Sequence, residues 1–417
     1  MSVLAGKHVV LGVTGSIAAY KAVELARRLS QAGALVDVIM TRAALEFVTR
    51  LTFRSLTHRP VAGELFDPDS ELSVQHVLLA ERADVVVVAP ATADAIARMA
   101  LGLADDLLGC TVLATTAPLV IAPAMDLHMW GNGITQQNLD RLRERGAVVV
   151  QPGAGPLASG LVGLGRLAET EEILATVSAT LGRHGDLAGR RIVVTAGGTQ
   201  EPIDPVRVIT NRSSGKMGFA LAEAARDRGA SVLLIHGSVS AALPCGVERQ
   251  ETLTAGLMHQ AVLAALEGAD ALVMAAAVGD YRAANAAPEK IHRSHEEVEL
   301  RLVRNTDILA EAATRGRGRN GRPLVCVGFA AETQELLASA GRKLAEKGVD
   351  LMVANDVSEE GSGFGTDTNR VTLLRAGREP EVLPLLTKAE VADRILDRVV
   401  ELLARLRPGT RNPEPGT

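Results

Sequence analysis

The sequence predicts two α/β domains, each built on a parallel sheet. Three observations carry this expectation: apolar strands alternate with helical patterns in both halves, glycines stand where helices must stop, and strand-to-helix turns are rich in Gly, Ser and Thr. In the first half the expected strands are 8–13, 36–40, 84–89, 119–122 and 147–150. Helical spacing covers 18–31, 93–101 and 136–145, and Gly33 and Gly146 follow two of these as terminating glycines. Right-handed crossovers follow from that alternation. After the polar stretch 182–189 a second alternation begins, with strands expected at 191–195, 232–236, 271–275, 324–328 and 350–354. The expected domains are residues 1–185 and 186–405, with 406–417 as a disordered tail.

Composition narrows the function classes. A chain of 417 residues that is 47% hydrophobic can fill two cores. Its net charge of −5 gives no basic field for nucleic acid, and the run RGRGRNGR at 315–322 reads as a solvated loop. Cys110, Cys245 and Cys326 form neither a CxxC nor a Cys/His metal spacing, which predicts a reduced, cytoplasmic protein. No signal-peptide pattern and no membrane-length apolar run is present, so no membrane partner is expected.

The most specific string is TAGGTQEPIDPVRVITNRSSGKMG at 195–218, which reads as strand, loop and helix. Met217, Leu221, Ala224 and Ala225 form the apolar stripe of that helix, while Asn211, Ser213, Ser214 and Gly215 fall at its entrance. There the positive end of the helix dipole favours an anion, and Lys216 adds charge. Walker GxxxxGK[ST] spacing is absent, so the string points to a nucleotide or phosphorylated substrate without naming a P-loop.

In the first half, VVLGVTGSIAAY at 9–20 puts Gly15, Ser16 and Ile17 in a strand-to-helix turn. Thr41 ends the next strand, and APATA at 89–93 carries Thr92 into a helix. His76 stands near another helix start, PAMDLHMW at 123–130 contains Met125 and Asp126, and GAGPLASGLVGLGR at 153–166 has the glycine spacing of a mobile lid, with Ser159 in it and Arg166 at its end.

The 195–218 string resembles the signature of phosphopantothenate-cysteine ligases, and the first-half segments resemble flavin-dependent phosphopantothenoylcysteine decarboxylases. Together they cover nearly the whole chain, in the order of the bifunctional family of bacterial coenzyme A biosynthesis. The resemblance implies two Rossmann-like/flavodoxin-like domains, the first of the homo-oligomeric flavin-containing cysteine decarboxylase type. It implies FMN as cofactor, held by Gly15, Ser16, Ile17, Thr41 and Thr92. His76 then serves as a base or carboxylate-orienting group, Met125, Asp126 and Arg166 contact substrate, and the lid carrying Ser159 excludes water and assists protonation. Asp126 stands where the family commonly has asparagine, and Ser159 occupies a lid that often holds a reactive cysteine. An ionised carboxylate cannot donate as an amide can, and a hydroxyl is a poorer acid than a thiol. The paired departures fit either a variant active site or impaired decarboxylation.

The second half adds AAAVGDY at 275–281, PEK at 288–290, NTDIL at 305–309 and GFAAET at 328–333. In the resembling ligases these segments surround CTP and the acyl intermediate. The nucleotide set thus implied is Ser213, Ser214, Gly215, Ala275, Ala276, Asp280, Lys290, Thr306, Asp307, Ile308, Leu309, Phe329, Lys343 and Lys347. Lys290 stabilises charge as a carboxylate attacks the α-phosphate, Asn211 steadies the acyl phosphate, and Asp280 is the Mg²⁺-linked ligand. The bland reading of Asn211 is a helix N-cap. Thr306 replaces a more common proline, leaving the local turn less constrained.

The implied activity is ligation of 4'-phosphopantothenate to cysteine through an acyl cytidylate, then FMN-dependent decarboxylation to 4'-phosphopantetheine. Ligase dimers and decarboxylase trimers in a dodecamer are the implied assembly. Two other readings stand beside it: a CTP-dependent ligase with a noncatalytic FMN-binding first domain, and a noncatalytic flavoprotein that binds a protein partner.

Overall fold

The structure, a computed structural model, describes residues 2–65, 74–292, 299–316, 323–332, 336–356, 363 and 365–406. They divide into two compact units, Met1–Arg183 and His184–Thr417. All but Leu406 of the expected tail, most of the basic run 315–322 and Thr333 lie outside the described residues. Among the described residues no helix is long and apolar enough to cross a membrane.

In the first unit the strands are β1 His8–Val13, β2 Leu35–Met40, β3 Val61–Ala62, β4 Val85–Ala91, β5 Leu119–Pro123 and β6 Val148–Val149. They form one parallel sheet in the order β3-β2-β1-β4-β5-β6. β4, sequence VVVVAPA, is buried throughout, as a central parallel strand covered on both faces must be. Its alternate residues serve different layers. Val85 and Val87 pack with Leu25, Ile173 and Val177 from helices Ala19–Gln31 and Thr170–Gly182, while Val86 and Val88 pack with Ile96, Leu108 and Leu139. Each such buried side chain stabilises the fold by roughly 1.5–3 kcal/mol. Gly33 and Gly146 end their helices at φ +89° and +90°. Helix Gly133–Glu144 starts earlier than its periodicity suggests, because the Asn132 side chain accepts a hydrogen bond from Ile134 N–H and caps it.

The segment expected as a lid loop is a β-hairpin, β7 Gly153–Pro156 with β8 Val162–Arg166. Glycine makes this docking feasible. A Cβ on Gly165, at φ +144°, would lie 2.3 Å from Met125 O, and one on Gly163 would lie 2.8 Å from a Leu127 methyl. β8 therefore rests directly on residues 125–127, with Met125 N–H bonded to Gly165 O at 2.9 Å.

The second unit contains β9 Arg191–Ala196, β10 Gln200–Pro202, β11 Val208–Thr210, β12 Ser231–His236, β13 Glu248–Glu251, β14 Ala271–Met274, β15 Tyr281–Ala283, β16 Leu302–Arg304, β17 Val325–Glu332, β18 Leu351–Asp356, β19 Thr368–Asn369, β20 Val371–Leu374, β21 Glu381–Val382 and β22 Leu386–Thr387. Its main sheet runs β13-β12-β9-β14-β17-β18-β20-β21. β13 to β18 are parallel, whereas β20 and β21 are antiparallel additions at one edge, which the alternating pattern did not suggest. Six residues between β20 and β21 are too few for a parallel crossover. One face packs on helices Lys216–Asp227 and Lys388–Arg405, and the other on Ala255–Leu266, Ile308–Arg315 and Leu336–Lys347. Cys326 lies inside that second layer, where burial pushes its thiol up to about 12. It is a core residue without thiolate chemistry.

Candidate functional site

Each unit has a cavity at the carboxyl ends of its parallel strands, where helix-bound turns leave the sheet. In the first unit the cavity measures about 520 Å³ and is walled by turns after β1, β4 and β5 and by the hairpin. Thr14 ties two of the turns together: its hydroxyl donates to Pro90 O at 2.7 Å and accepts from Thr92 N–H at 3.1 Å. Thr92 in turn caps helix Ala93–Leu101 by accepting from Ala95 N–H. Gly15 is needed for the close approach of two loops, since a Cβ there would lie 2.4 Å from that of Ala43.

Gly15, Ser16, Ile17, Thr92, Met125, Asp126, Ser159 and Arg166 all line this cavity. Thr41 and His76 do not appear on its wall. Thr41 caps the short 3-10 helix Arg42–Glu46, accepting from Ala44 N–H at 3.3 Å, and His76 is the second residue of helix Gln75–Arg82. Tyr20, Lys21, Met129 and Leu157 also line the cavity. Of these, Met129 lies in the PAMDLHMW motif at 123–130 and Tyr20 ends the VVLGVTGSIAAY motif. Ile17 and Met129 give the wall apolar faces for a planar ring, while Lys21 and Arg166 offer positive charge to a phosphate. That donor set, with the glycine approach at Gly15, fits FMN.

Asp126 is the N-cap of the short helix Leu127–Trp130. One carboxylate oxygen accepts from His128 N–H at 3.0 Å and the other from the Ser159 hydroxyl at 2.5 Å. The Ser159 bond, and after it the His128 N–H, holds the carboxyl below the ordinary range. The two positions that depart from the family pattern are therefore bonded to each other.

The cavity of the second unit measures about 890 Å³. Main-chain bonds join the turns after β9, β12 and β14. Gly198 and Ser238 exchange N–H···O bonds at 3.0 and 2.8 Å, and Ala277 N–H reaches Gly197 O at 2.8 Å. A Cβ on Gly237 would lie 2.3 Å from Gly198 O, so the turns after β9 and β12 meet only through glycine. Buried Thr195 and Thr199 accept from Ala276 and Gly279 N–H at 3.1 and 2.9 Å, fixing the turn after β14.

Asn211, Ser213, Ser214, Gly215, Ala275, Ala276, Asp280, Thr306, Asp307, Ile308, Leu309, Phe329, Lys343 and Lys347 line this one cavity. Asn211 is not a helix cap. Helix Lys216–Asp227 is preceded by Gly215 at φ +83°, and Asn211 instead donates to Val278 O at 3.1 Å. Asn305 donates to Gly279 O at 2.8 Å while its N–H bonds Asp280 O, so the 211, 280 and 305 segments share one rim. Asp307 caps helix Ile308–Arg315 and pairs with Lys347 at 3.0 Å. Burial raises its pKa, but the Ala310 N–H and the Lys347 ammonium outweigh this and hold it low. Thr306 thus leaves the capping turn intact. Lys290 is exposed and off the wall. Among the described residues no three His, Cys, Asp or Glu side chains group as a metal cage. Asn355, Asn369 and Lys388 also line the cavity and escaped the motif reading. For Lys388 the available signal was the Thr-x-x-Glu box at 387–390, which places it in a first helical turn.

Residues 2–182 match the family described as Flavoprotein, and residues 187–403 match the family described as DNA/pantothenate metabolism flavoprotein C-terminal domain. The chain is 44% identical over 405 residues to the coenzyme A biosynthesis bifunctional protein CoaBC of Vibrio vulnificus (strain CMCP6), covering 97% of this chain and 100% of that one. The protein of that name from Escherichia coli (strain K12) is 44% identical over 400 residues, covering 95% and 97%. Its counterpart from Bacillus subtilis (strain 168) is 42% identical over 402 residues, covering 96% and 98%.

Proposed function

Since the chain belongs to the family of coenzyme A biosynthesis bifunctional proteins, we propose that its two cavities are the two active sites of such an enzyme. The protein is a bifunctional enzyme of coenzyme A biosynthesis, a flavoprotein decarboxylase joined to a ligase. The observation that carries the site assignment is convergence: residues from 211 to 347 line one cavity, and residues from 15 to 166 line the other.

In the ligase cavity, the 4'-phosphopantothenate carboxylate attacks the α-phosphate of CTP, forming an acyl cytidylate and releasing pyrophosphate. The cysteine amine then displaces CMP. Asn211, anchored on Val278 O, steadies the acyl phosphate. Phe329 faces the base and Lys343 with Lys347 the triphosphate, and Asp280 is the residue that would hold a nucleotide-bound Mg²⁺, which would neutralise phosphate charge. Lys290, exposed and off the wall, is assigned to the charge that develops at the α-phosphate.

In the first cavity, Gly15, Ser16, Ile17 and Thr92 hold FMN, with Thr41 supporting the turn from outside the wall. Bound there, FMN would supply reversible two-electron redox chemistry for the cysteinyl thiol, with no net change in its own oxidation state. Met125 and Asp126 position the substrate, Arg166 pairs with its phosphate, and the hairpin carrying Ser159 excludes water and assists protonation. His76 acts as base or orienting group. Because it lies off the cavity wall of its own copy, it fits a homo-oligomer in which a neighbouring chain completes the site. Ligase dimers and decarboxylase trimers in a cytoplasmic dodecamer complete the reading.

The test is mass-resolved product analysis with 4'-phosphopantothenate, cysteine, CTP and Mg²⁺. Formation of 4'-phosphopantetheine is expected. Accumulation of phosphopantothenoylcysteine would mean a ligase joined to an inactive flavin unit, and unspent CTP would overturn the ligase assignment.

A further inference from the structure

The cavity of the second unit holds a buried cation that, among the described residues, lacks a matching buried charge. Lys388 is 7% exposed, opens helix Lys388–Arg405 and lies on the cavity wall. Its ammonium donates to two main-chain oxygens, Gly363 O at 3.3 Å and Thr366 O at 2.5 Å. The two carbonyls take up two of its three N–H donors without neutralising its charge, and a desolvated charge is costly until an opposite one meets it. The carboxylate that acts on it, Asp367, has a side chain 87% exposed and is already paired with Lys216 at 2.6 Å. Lys216 also donates to Gly365 O at 2.9 Å. Two lysines on one wall thus share one solvent-screened carboxylate. Burial, and after it the neighbouring Lys216, pushes the Lys388 ammonium below its usual pKa, as expected of a cation waiting for an anion. The helix start itself is not the attractor, because Thr387 and Glu390 form a complete capping box there. Lys347, by contrast, has Asp307 at 3.0 Å.

We propose that Lys388, together with Lys216, binds a phosphoryl group in this cavity, and that the ligand supplies the missing negative charge. This rests on the ligase reading, in which both CTP and 4'-phosphopantothenate bring phosphoryl groups. Lys216 exchanges exposed Asp367 for the ligand, while Lys388 keeps its carbonyls and gains a charged partner.

The experiment uses the full chain with Lys388→Met, which removes the charge, and Lys388→Arg, which keeps it. Pyrophosphate binding is measured by calorimetry, alongside the KM for CTP and for 4'-phosphopantothenate. Lys388→Met is expected to weaken pyrophosphate binding or raise one KM about tenfold, with Lys388→Arg restoring it to within about threefold. Loss confined to CTP and pyrophosphate assigns the nucleotide phosphates; loss confined to 4'-phosphopantothenate assigns its 4'-phosphate. A folded Lys388→Met variant with all three values within about twofold of the parent overturns the proposal, leaving Lys388 as a tie for residues 363–366. Should both Lys388 variants unfold, Lys216→Met decides: about threefold weaker binding is expected, and unchanged binding overturns the proposal. If the parent binds pyrophosphate in a Lys388-dependent way yet leaves CTP unspent, the ligase reading fails and the phosphoryl site stands.

Discussion

Asp126 and Ser159 are 33 positions apart, and in the fold one hydroxyl meets one carboxylate oxygen. The sequence made each residue look like an isolated departure; their contact depends on how β8 lies against residues 125–127, which no local pattern encodes. The bond has a consequence for pH. A carboxyl whose pKa is lowered stays ionised further into acid, and its acceptor role is lost only as pH falls through that lowered value. Ser159→Ala removes the main cause of the lowering, so the acid limb of the decarboxylation profile should move to higher pH, with the rate at pH 7 down about tenfold. An unshifted limb would show that the pair does not act in the reaction. Cavity-lining Gly15, Thr92 and Asn211 were legible because their motifs sit at strand ends. Lys388 was not, since a lysine after a threonine cap reads as a solvated first turn.

At the scale of elements, the five expected strands of each half were legible because buried parallel strands appear as unbroken apolar runs, as in Val85–Ala91, whereas the short β3 and the exposed β13 carry no such run. The 153–166 hairpin was missed for the opposite reason. Its glycines serve a surface rather than a bend, and glycine-rich sequence carries no strand signal. Gly165 gives a direct check. Alanine there meets Met125 O and requires an unfavourable φ, so Gly165→Ala should lift β8, destabilise the first unit by about 2 kcal/mol and speed flavin loss. Thermal unfolding together with flavin fluorescence reads both effects, and parent-like behaviour in each would mean that the hairpin is not docked as described. The antiparallel edge formed by β20 and β21 also escaped the alternation pattern, which registers strand and helix but not strand direction.

At the scale of the whole molecule, each compact unit has its own sheet, buried layers and cavity. A chain cut between Arg183 and His184 should therefore give two folded pieces. Residues 184–417 are expected to ligate with a KM for CTP within about threefold of the parent and to show no decarboxylation. Cooperative melting and product analysis of the fragment test this, and an unfolded or inactive piece would show that the units depend on each other. The position of both cavities at strand ends has another consequence. The valines that hold β4 in its sheet and the turns that face the ligand occupy different stretches of chain, so natural variation can rewrite the chemistry while leaving the scaffold's inheritance untouched. Asp126 and Ser159 illustrate this: both stand in turns at the cavity, outside the strands of the parallel sheet.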